Sequence, residues 1–246
     1  MAYSALAGIC ILTFCRKISS TVTVQGRTSK VASVFDLATR RLYLCVGVRD
    51  DMADFLPAVL RGGVDVVQLR EKSLDIASQR AMALVMEPIC RSFEVPFIVN
   101  DSPELAADVR ADGVHVGQDD VSVDRCRELL GDAAIIGLST HSSDEFDRAL
   151  QENASYFSAG PIEPTPTKPG RSGTGMDYAV ASQERSTRPV FVTGGVNATN
   201  VGALVEAGLR HFVVVRALTE ASDPEGSARS IRRALDRALA VTVEPT

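Results

Sequence analysis

The chain has 246 residues, 45% of them hydrophobic, with 26 Lys and Arg against 31 Asp and Glu for a formal net charge of −5. That apolar share excludes a chain disordered throughout, and a mildly acidic chain with no basic run is a poor match to general nucleic-acid binding. The five cysteines are scattered and form no Cys-x-x-Cys pair, which argues against a zinc or redox centre and reads as buried, reduced thiols of a cytoplasmic protein.

Residues 1–40 differ from the rest. Ala5 to Cys15 is apolar, Arg16-Lys17 follows, and a Ser/Thr-rich stretch runs to Ser33. The apolar run is too short to span a bilayer. Its positive charge comes after the apolar segment, whereas a secretory signal carries it before. The segment reads as a loosely ordered N-terminal extension, or as a start placed too far upstream, with targeting as the lesser alternative. No membrane attachment is expected.

From Arg41 onward, short apolar runs alternate with longer amphipathic ones. The expected strands are Arg41–Val46, Val64–Leu69, Pro96–Val99, Gly113–Val116, Ala134–Leu138, Ser155–Ser158, Pro189–Thr193 and His211–Val215. Each reads as apolar on both faces, as buried parallel strands do. Between them, Ala53, Leu56, Val59 and Leu60 share a helical face that Gly62-Gly63 ends. Ser102 is placed to cap a helix with Pro103 in its first position, running through Ala111. A further helix spans Asn197 to Ala207 and stops at Gly208, and the last runs from about Pro224 to Ala240 with Ile231, Leu235 and Leu239 on one side. Eight βα units in about 250 residues predict a single (β/α)₈ barrel, a TIM barrel, over residues 41–246. In such barrels the active site lies at the carboxyl ends of the strands, where the polar segments at 68–72, 100–101, 117–120 and 160–168 fall.

After the second strand, alternation puts Gln68, Arg70 and Lys72 on one side of an extended segment. Arg70 suits a two-point grip on phosphate oxygens and Lys72 a point charge; a solvated charge mixture is the plainer alternative. Asn100-Asp101 ends the third strand and Asp120 follows the fourth, so neighbouring strands bring two carboxylates together. Magnesium would relieve their repulsion, with substrate phosphate oxygens completing its shell, although Asp also caps helices. His115, inside the fourth strand, reads as a satisfied core histidine. The loop after strand six carries Thr165, Thr167 and Lys168, then Pro169, Gly170, Arg171 and Gly173, a composition that suits a lid. Gly194-Gly195 after strand seven and Val215-Arg216 after strand eight fall at the common phosphate site of this barrel. Two anionic groups are thus expected, one diphosphate with metal and one monophosphate without.

As a set, these segments resemble the thiamine phosphate synthase family over about Arg41 to Leu239. The likeness is carried by Gln-Leu-Arg-Glu-Lys at 68–72, Asn-Asp at 100–101, Ala-Asp-Gly-Val-His-Val-Gly-Gln-Asp-Asp at 111–120, Gly-Leu-Ser-Thr-His at 137–141, Pro-Thr-Pro-Thr-Lys at 164–168 and Gly-Gly-Val at 194–196. The resemblance implies an enzyme that joins hydroxymethylpyrimidine diphosphate to a thiazole phosphate and releases diphosphate, with Mg²⁺ as cofactor and these small molecules as partners. It implies that Gln68 contacts the pyrimidine, that Arg70, Lys72, Asn100, Ser139 and Lys168 hold the diphosphate, and that Asp101 and Asp120 bind the metal. Thr165, Thr167, Gly195 and the backbone at Val215-Arg216 would hold the thiazole phosphate, and Arg70, Lys72, Ser139 and Lys168 would act on the reacting bond. Two positions depart from the family pattern: Arg216 stands where serine is usual, and Glu163 where an aromatic or aliphatic residue is usual. The nearest alternative is the related thiazole tautomerase, which would use His141 and dispense with the metal pair. An alternative of another class is a ligand-binding regulatory protein that has lost turnover. A homo-oligomer is left open.

Overall fold

The computed structural model describes residues 35–164 and 172–242. The expected extension lies outside the described residues up to residue 34, and so does the strand-six loop from 165 to 171, with Thr165, Thr167 and Lys168. The strands are β1 (Leu42–Val46), β2 (Val66–Leu69), β3 (Phe97–Asn100), β4 (Gly113–Val116), β5 (Ile135–Thr140), β6 (Tyr156–Ala159), β7 (Val190–Val192) and β8 (His211–Val214). They pair in parallel in chain order, and β1 also pairs with β8, which closes the barrel. Around it run α1 (Met52–Arg61), α2 (Ile76–Ser92), α3 (Pro103–Asp108), α4 (Val123–Leu130), α5 (Ser143–Ala149), α6 (Met176–Arg185), α7 (Val201–Glu206), the short α8 (Arg216–Thr219) and α9 (Pro224–Thr242). Among the described residues no helix is long and apolar enough to cross a membrane.

Closure sorts each strand by alternation. Leu42, Leu44, Val67, Leu69, Phe97, Val99, Val114, Val116, Ile136 and Phe157 join the helices in the main core cluster. Tyr43, Val66, Ile98, Ile135, Tyr156 and Phe191 form a second cluster in the barrel interior. Burying an apolar side chain of this size contributes on the order of 2 kcal/mol, so both layers hold the barrel. Strands apolar on both faces were expected; instead, the inward positions nearest the carboxyl ends are polar. Cys45 lies beside Gln68, Asn100 beside His115, and Ser139 beside Ser158 in the strand registers. These polar pairs form the floor of a cavity.

The helices also depart from expectation in places. Ala53 is exposed, and Met52 and Phe55 are buried with Leu56, Val59 and Leu60. Ser102 does cap α3, accepting the Leu105 N–H at 3.2 Å, but the helix ends at Asp108 rather than Ala111. α7 begins at Val201 rather than Asn197. The Asn197 carboxamide oxygen accepts from the Thr199 and Asn200 N–H groups, at 2.8 and 3.2 Å, which makes a local turn of what would have been the first helical turn. On α9, Ile231 and Leu235 are fully buried and Leu239 partly so.

The amino ends of the strands are tied by a separate polar clasp. Asp65 accepts the Arg41 and Leu42 N–H groups, at 2.9 and 2.8 Å, and Arg232 of α9 at 2.8 Å. Next to it, His211 Nδ1 lies 2.6 Å from the Arg40 carbonyl, and the Arg41 guanidinium is 3.2 Å from Nε2. Nδ1–H donating to the carbonyl and Nε2 accepting from Arg41 is the neutral tautomer that satisfies both contacts. Burial, with Arg41 and Arg210 nearby, lowers the His211 pKa from 6.5 to about 4. Between those values the unfolded chain binds the extra proton, so stability is complete above about pH 6.5 and falls as pH drops to about 4. Relative to His211→Gln, the unfolding free energy is expected to fall by about 3 kcal/mol across that window, read by urea denaturation at several pH values. Parallel profiles for the two proteins would remove His211 as the source of acid sensitivity.

Candidate active site

The carboxyl ends of the strands surround a cavity of about 630 Å³. Gln68, Arg70 and Lys72 all line it, as alternation along the strand predicts. Glu71 between them turns away: its Oε1 accepts the Ser73 N–H at 2.8 Å and hydroxyl at 2.6 Å, and its Oε2 the Val48 N–H at 3.3 Å. The same short segment therefore sends its cations to the cavity and its carboxylate into its own loop.

The two carboxylates meet as neighbouring strand ends require. The Asp101 N–H donates to the His115 carbonyl at 2.8 Å, which extends the β3–β4 ladder past the strands. Asp101 adopts φ +62°, a left-handed conformation uncommon for a residue with a side chain and concentrated at functional sites. Asp120 accepts the Gly117 N–H at 2.7 Å, folding its loop back toward the mouth. Lys72 Nζ sits 2.9 Å from Asp101 Oδ2, a pairing that sequence reading, which gave Lys72 to the diphosphate, did not foresee. The Asp101 pKa is raised, first by burial and further by Asp120, while Lys72 opposes the shift. Among the described residues no group of three or more His, Cys, Asp and Glu side chains is arranged to hold a metal ion. The pair alone offers two carboxylates, with one cation already drawn to it.

Asn100 and Ser139 also line the cavity, near its floor. Gln118 Nε2 donates to the Ser139 carbonyl at 2.7 Å, tying the β4 loop to β5. The Ser139 hydroxyl lies 2.8 Å from His115 Nε2 and 3.3 Å from Ser158 Oγ. His115 is satisfied, as expected, but it faces the cavity rather than an apolar core.

Elsewhere on the cavity wall, Gly194 and Gly195 take φ +106° and +73°. A Cβ on Gly194 would come within 2.7 Å of the Ile162 backbone nitrogen, so Gly194 is required by space as well as by conformation, whereas at Gly195 a Cβ would meet only the movable Glu163 carboxylate and the positive φ alone favours glycine. Val215 precedes α8 and lines the wall with Arg216, whose side chain is exposed. The Thr193 hydroxyl is buried at this wall without a hydrogen-bond partner among the described residues, which leaves a donor for a ligand.

Sequence reading missed Tyr43, Cys45, Tyr156, Ser158 and Thr193, all of which line the cavity. One signal for them was available: Gly137, inside β5, whose Cβ would lie 2.2 Å from the Tyr156 ring and 2.3 Å from His115 Nδ1. A glycine inside a strand marks a close approach.

A closed barrel with cations, paired carboxylates and left-handed glycines around one mouth defines an enzyme of the phosphate-binding TIM-barrel class. Residues 42–218 match the family described as thiamine monophosphate synthase (TMP-TENI), and the chain belongs to that family. It is 45% identical over 197 residues to a thiamine-phosphate synthase of Acidothermus cellulolyticus, covering 78% of this chain and 93% of that protein. It is 42% identical over 207 residues to one of Streptomyces avermitilis, covering 82% and 96%. Among solved structures, the thiamine phosphate pyrophosphorylase of Pyrococcus furiosus aligns with TM-score 0.74 and 25% identity, over 81% of this chain and 96% of that one.

Because the Asp101 pKa is raised in the fold, the folded chain holds the extra proton just above the ordinary carboxyl pKa. Its stability then falls as pH rises through that range. Ionised Asp101 therefore opposes folding at neutral pH. Asp101→Asn is expected to unfold at the same or a higher temperature than the parent at pH 7, since asparagine also tolerates positive φ. A clear drop in melting temperature would mean that the pair with Lys72 outweighs burial.

Proposed function

We propose that this chain condenses hydroxymethylpyrimidine diphosphate with the phosphate ester of hydroxyethylthiazole, giving thiamine phosphate and diphosphate. The observation that carries this reading is the convergence of Arg70, Lys72, Asp101 and Asp120 at the mouth of a barrel of this family. The match to synthases along nearly the whole barrel favours it over the tautomerase, although His141 also lines the mouth, held by Glu145 at 3.1 Å.

The donor pair fits magnesium: two carboxylates, both hard oxygen ligands, in a place that already attracts a cation. Asp101 and Asp120 would hold the ion. When bound, it neutralises charge on the diphosphate oxygens. Lys72, released from Asp101, turns to those oxygens beside Arg70, with Asn100, Ser139 and Lys168 completing the grip. Donors aimed at the diphosphate stabilise it most as the pyrimidine CH₂–O bond breaks and negative charge gathers on the leaving oxygen. Gln68 orients the pyrimidine, whose amino group delocalises the cation left behind. Gly195, Val215, Arg216, Thr165 and Thr167 seat the thiazole phosphate so that its ring nitrogen faces that carbon. Positioning takes the place of a protein nucleophile. Departure of the diphosphate and attack by the nitrogen balance without any further reactant.

The partners are these two small molecules; no nucleic acid or membrane is invoked, and oligomeric state is left open. Cys90 and Cys126 are free thiols, which supports the cytoplasm as the place of reaction. The barrel carries the activity and the segment before Val31 is dispensable.

The test mixes both substrates with the purified chain, with and without magnesium, and follows thiamine phosphate. Product is expected only with magnesium, and Asp101→Asn or Asp120→Asn is expected to lower kcat by about 10²–10³-fold while the protein stays folded. Full activity in both variants would remove the metal assignment, and no product from folded parent chain would remove the reaction. Deleting residues 1–30 is expected to leave kcat and both KM values unchanged; an insoluble or inactive truncated protein would assign that segment to the catalytic unit.

A further inference from the structure

Beneath the cavity, a line of buried side chains joins β2 to β5 across the barrel. Cys45 Sγ lies 3.1 Å from Gln68 Oε1, and Gln68 Nε2 donates to the Tyr43 hydroxyl at 3.0 Å. The Tyr43 and Tyr156 hydroxyls are 2.9 Å apart, and Tyr156 OH is 2.9 Å from His115 Nδ1. His115 Nε2 then meets Ser139 Oγ at 2.8 Å, and Ser158 donates to the same oxygen at 3.3 Å. The residues are buried. Gly137 keeps the line open, because a Cβ there would lie 2.3 Å from His115 Nδ1 and 2.4 Å from the Tyr156 hydroxyl. No step of the reaction derived above uses Tyr43, Tyr156 or His115.

The line has a direction. A hydroxyl has one proton, and a neutral imidazole has one N–H and one bare nitrogen. The Gln68 amide oxygen takes the thiol proton of Cys45, so its NH₂ faces Tyr43. With that donor at its oxygen, Tyr43 sends its proton to Tyr156, and Tyr156 sends its own to His115 Nδ1. Burial raises the pKa of both phenols, so both keep their protons. His115 is then the Nε2–H tautomer and donates to Ser139. Ser139 Oγ accepts from His115 and from Ser158, and its single proton is left for the cavity. With the direction reversed, His115 Nε2 would take the Ser139 proton, and the serine would face an anion with a lone pair.

We propose that Tyr156 and His115 are positioning residues whose hydrogen-bond polarity makes the Ser139 hydroxyl a donor to the leaving diphosphate. This rests on the assignment of Ser139 to the diphosphate made above. Tyr43 and Gln68 set the sense of the line, and Gln68 sits at the pyrimidine end of the same substrate. A pyrimidine that turned the Gln68 amide would reverse the line and withdraw the Ser139 donor, so the two ends of the substrate are read together.

The test has two arms. In the full chain labelled with ¹⁵N-histidine, the imidazole nitrogen shifts report each tautomer. The His115 signals are assigned by their loss in His115→Gln, or by elimination with His141→Gln and His211→Gln. His115 is expected to be neutral with its proton on Nε2, and a proton on Nδ1 overturns the proposal without recourse to any activity. In the kinetic arm, Ser139→Ala is expected to lower kcat about 10²-fold and Tyr156→Phe about tenfold, while Tyr156→Phe added to Ser139→Ala costs less than about twofold more. A Tyr156→Phe loss that is as large in the Ser139→Ala background as in the parent assigns the tyrosine to packing and overturns the proposal. Full activity in Ser139→Ala removes the diphosphate assignment itself, whatever tautomer His115 holds.

Discussion

The pairing of β1 with β8 is the constraint on which the rest depends. A closed sheet has one inside, and alternation then leaves each strand only a few inward positions. At the amino ends these are filled by Tyr43, Val66, Ile98, Ile135, Tyr156 and Phe191, a buried and largely aromatic plug. One step further along, the inward residues are Cys45, Gln68, Asn100, His115, Ser139 and Ser158. Polar groups at that depth are costly unless paired, and the parallel register pairs them by placing Cys45 beside Gln68 and Ser139 beside Ser158. Stability and site are two layers of one barrel, separated by a single step of the strand period.

Charge at the mouth follows a different logic. The chain sets a partly buried Asp101 beside Asp120 and meets this with Lys72, whose side chain is more than half exposed, at 55%. An exposed partner of that kind adds little to stability, so the arrangement is poor at holding the fold together. It suits the partner exchange proposed for this site, in which Asp101 would release Lys72 in favour of a metal ion and Lys72 would turn to a phosphate. The left-handed backbone at Asp101 has the same character. Local strain there is offset by the surrounding ladder, since the Asp101 N–H is fixed to the His115 carbonyl.

Much of this was legible in the residue order, for an identifiable reason. Gln68, Arg70 and Lys72 lie within one extended segment, so a period of two decides their common side without knowledge of the fold. Asp101 and Asp120 needed only the inference that consecutive strands are neighbours. Tyr43 and Tyr156 were hidden because they sit on β1 and β6, and only closure brings them together across the interior. Strands that looked apolar on both faces concealed a polar inner row, because serine, cysteine and histidine are tolerated in a buried strand as readily as in a site. Ala53 and Asn197 failed for local reasons: a small residue gives little periodic signal, and an asparagine that bonds its own following N–H groups competes with the helix.

The polar line beneath the cavity joins these two logics. If Ser139 and Gln68 were free hydroxyl and amide groups, each would turn to suit whatever entered, and ordering them would cost part of the binding energy. Linked through Tyr43, Tyr156 and His115, neither can turn alone, because each donor reversal forces the next. The orientation cost is then met in folding, by the same buried aromatic plug that closes the barrel. An apolar floor would hold the strands together equally well but would leave the diphosphate contacts to the flexible side chains of the rim. Placing the line inside the plug lets a rigid layer set the polarity of groups that must be ready before charge develops.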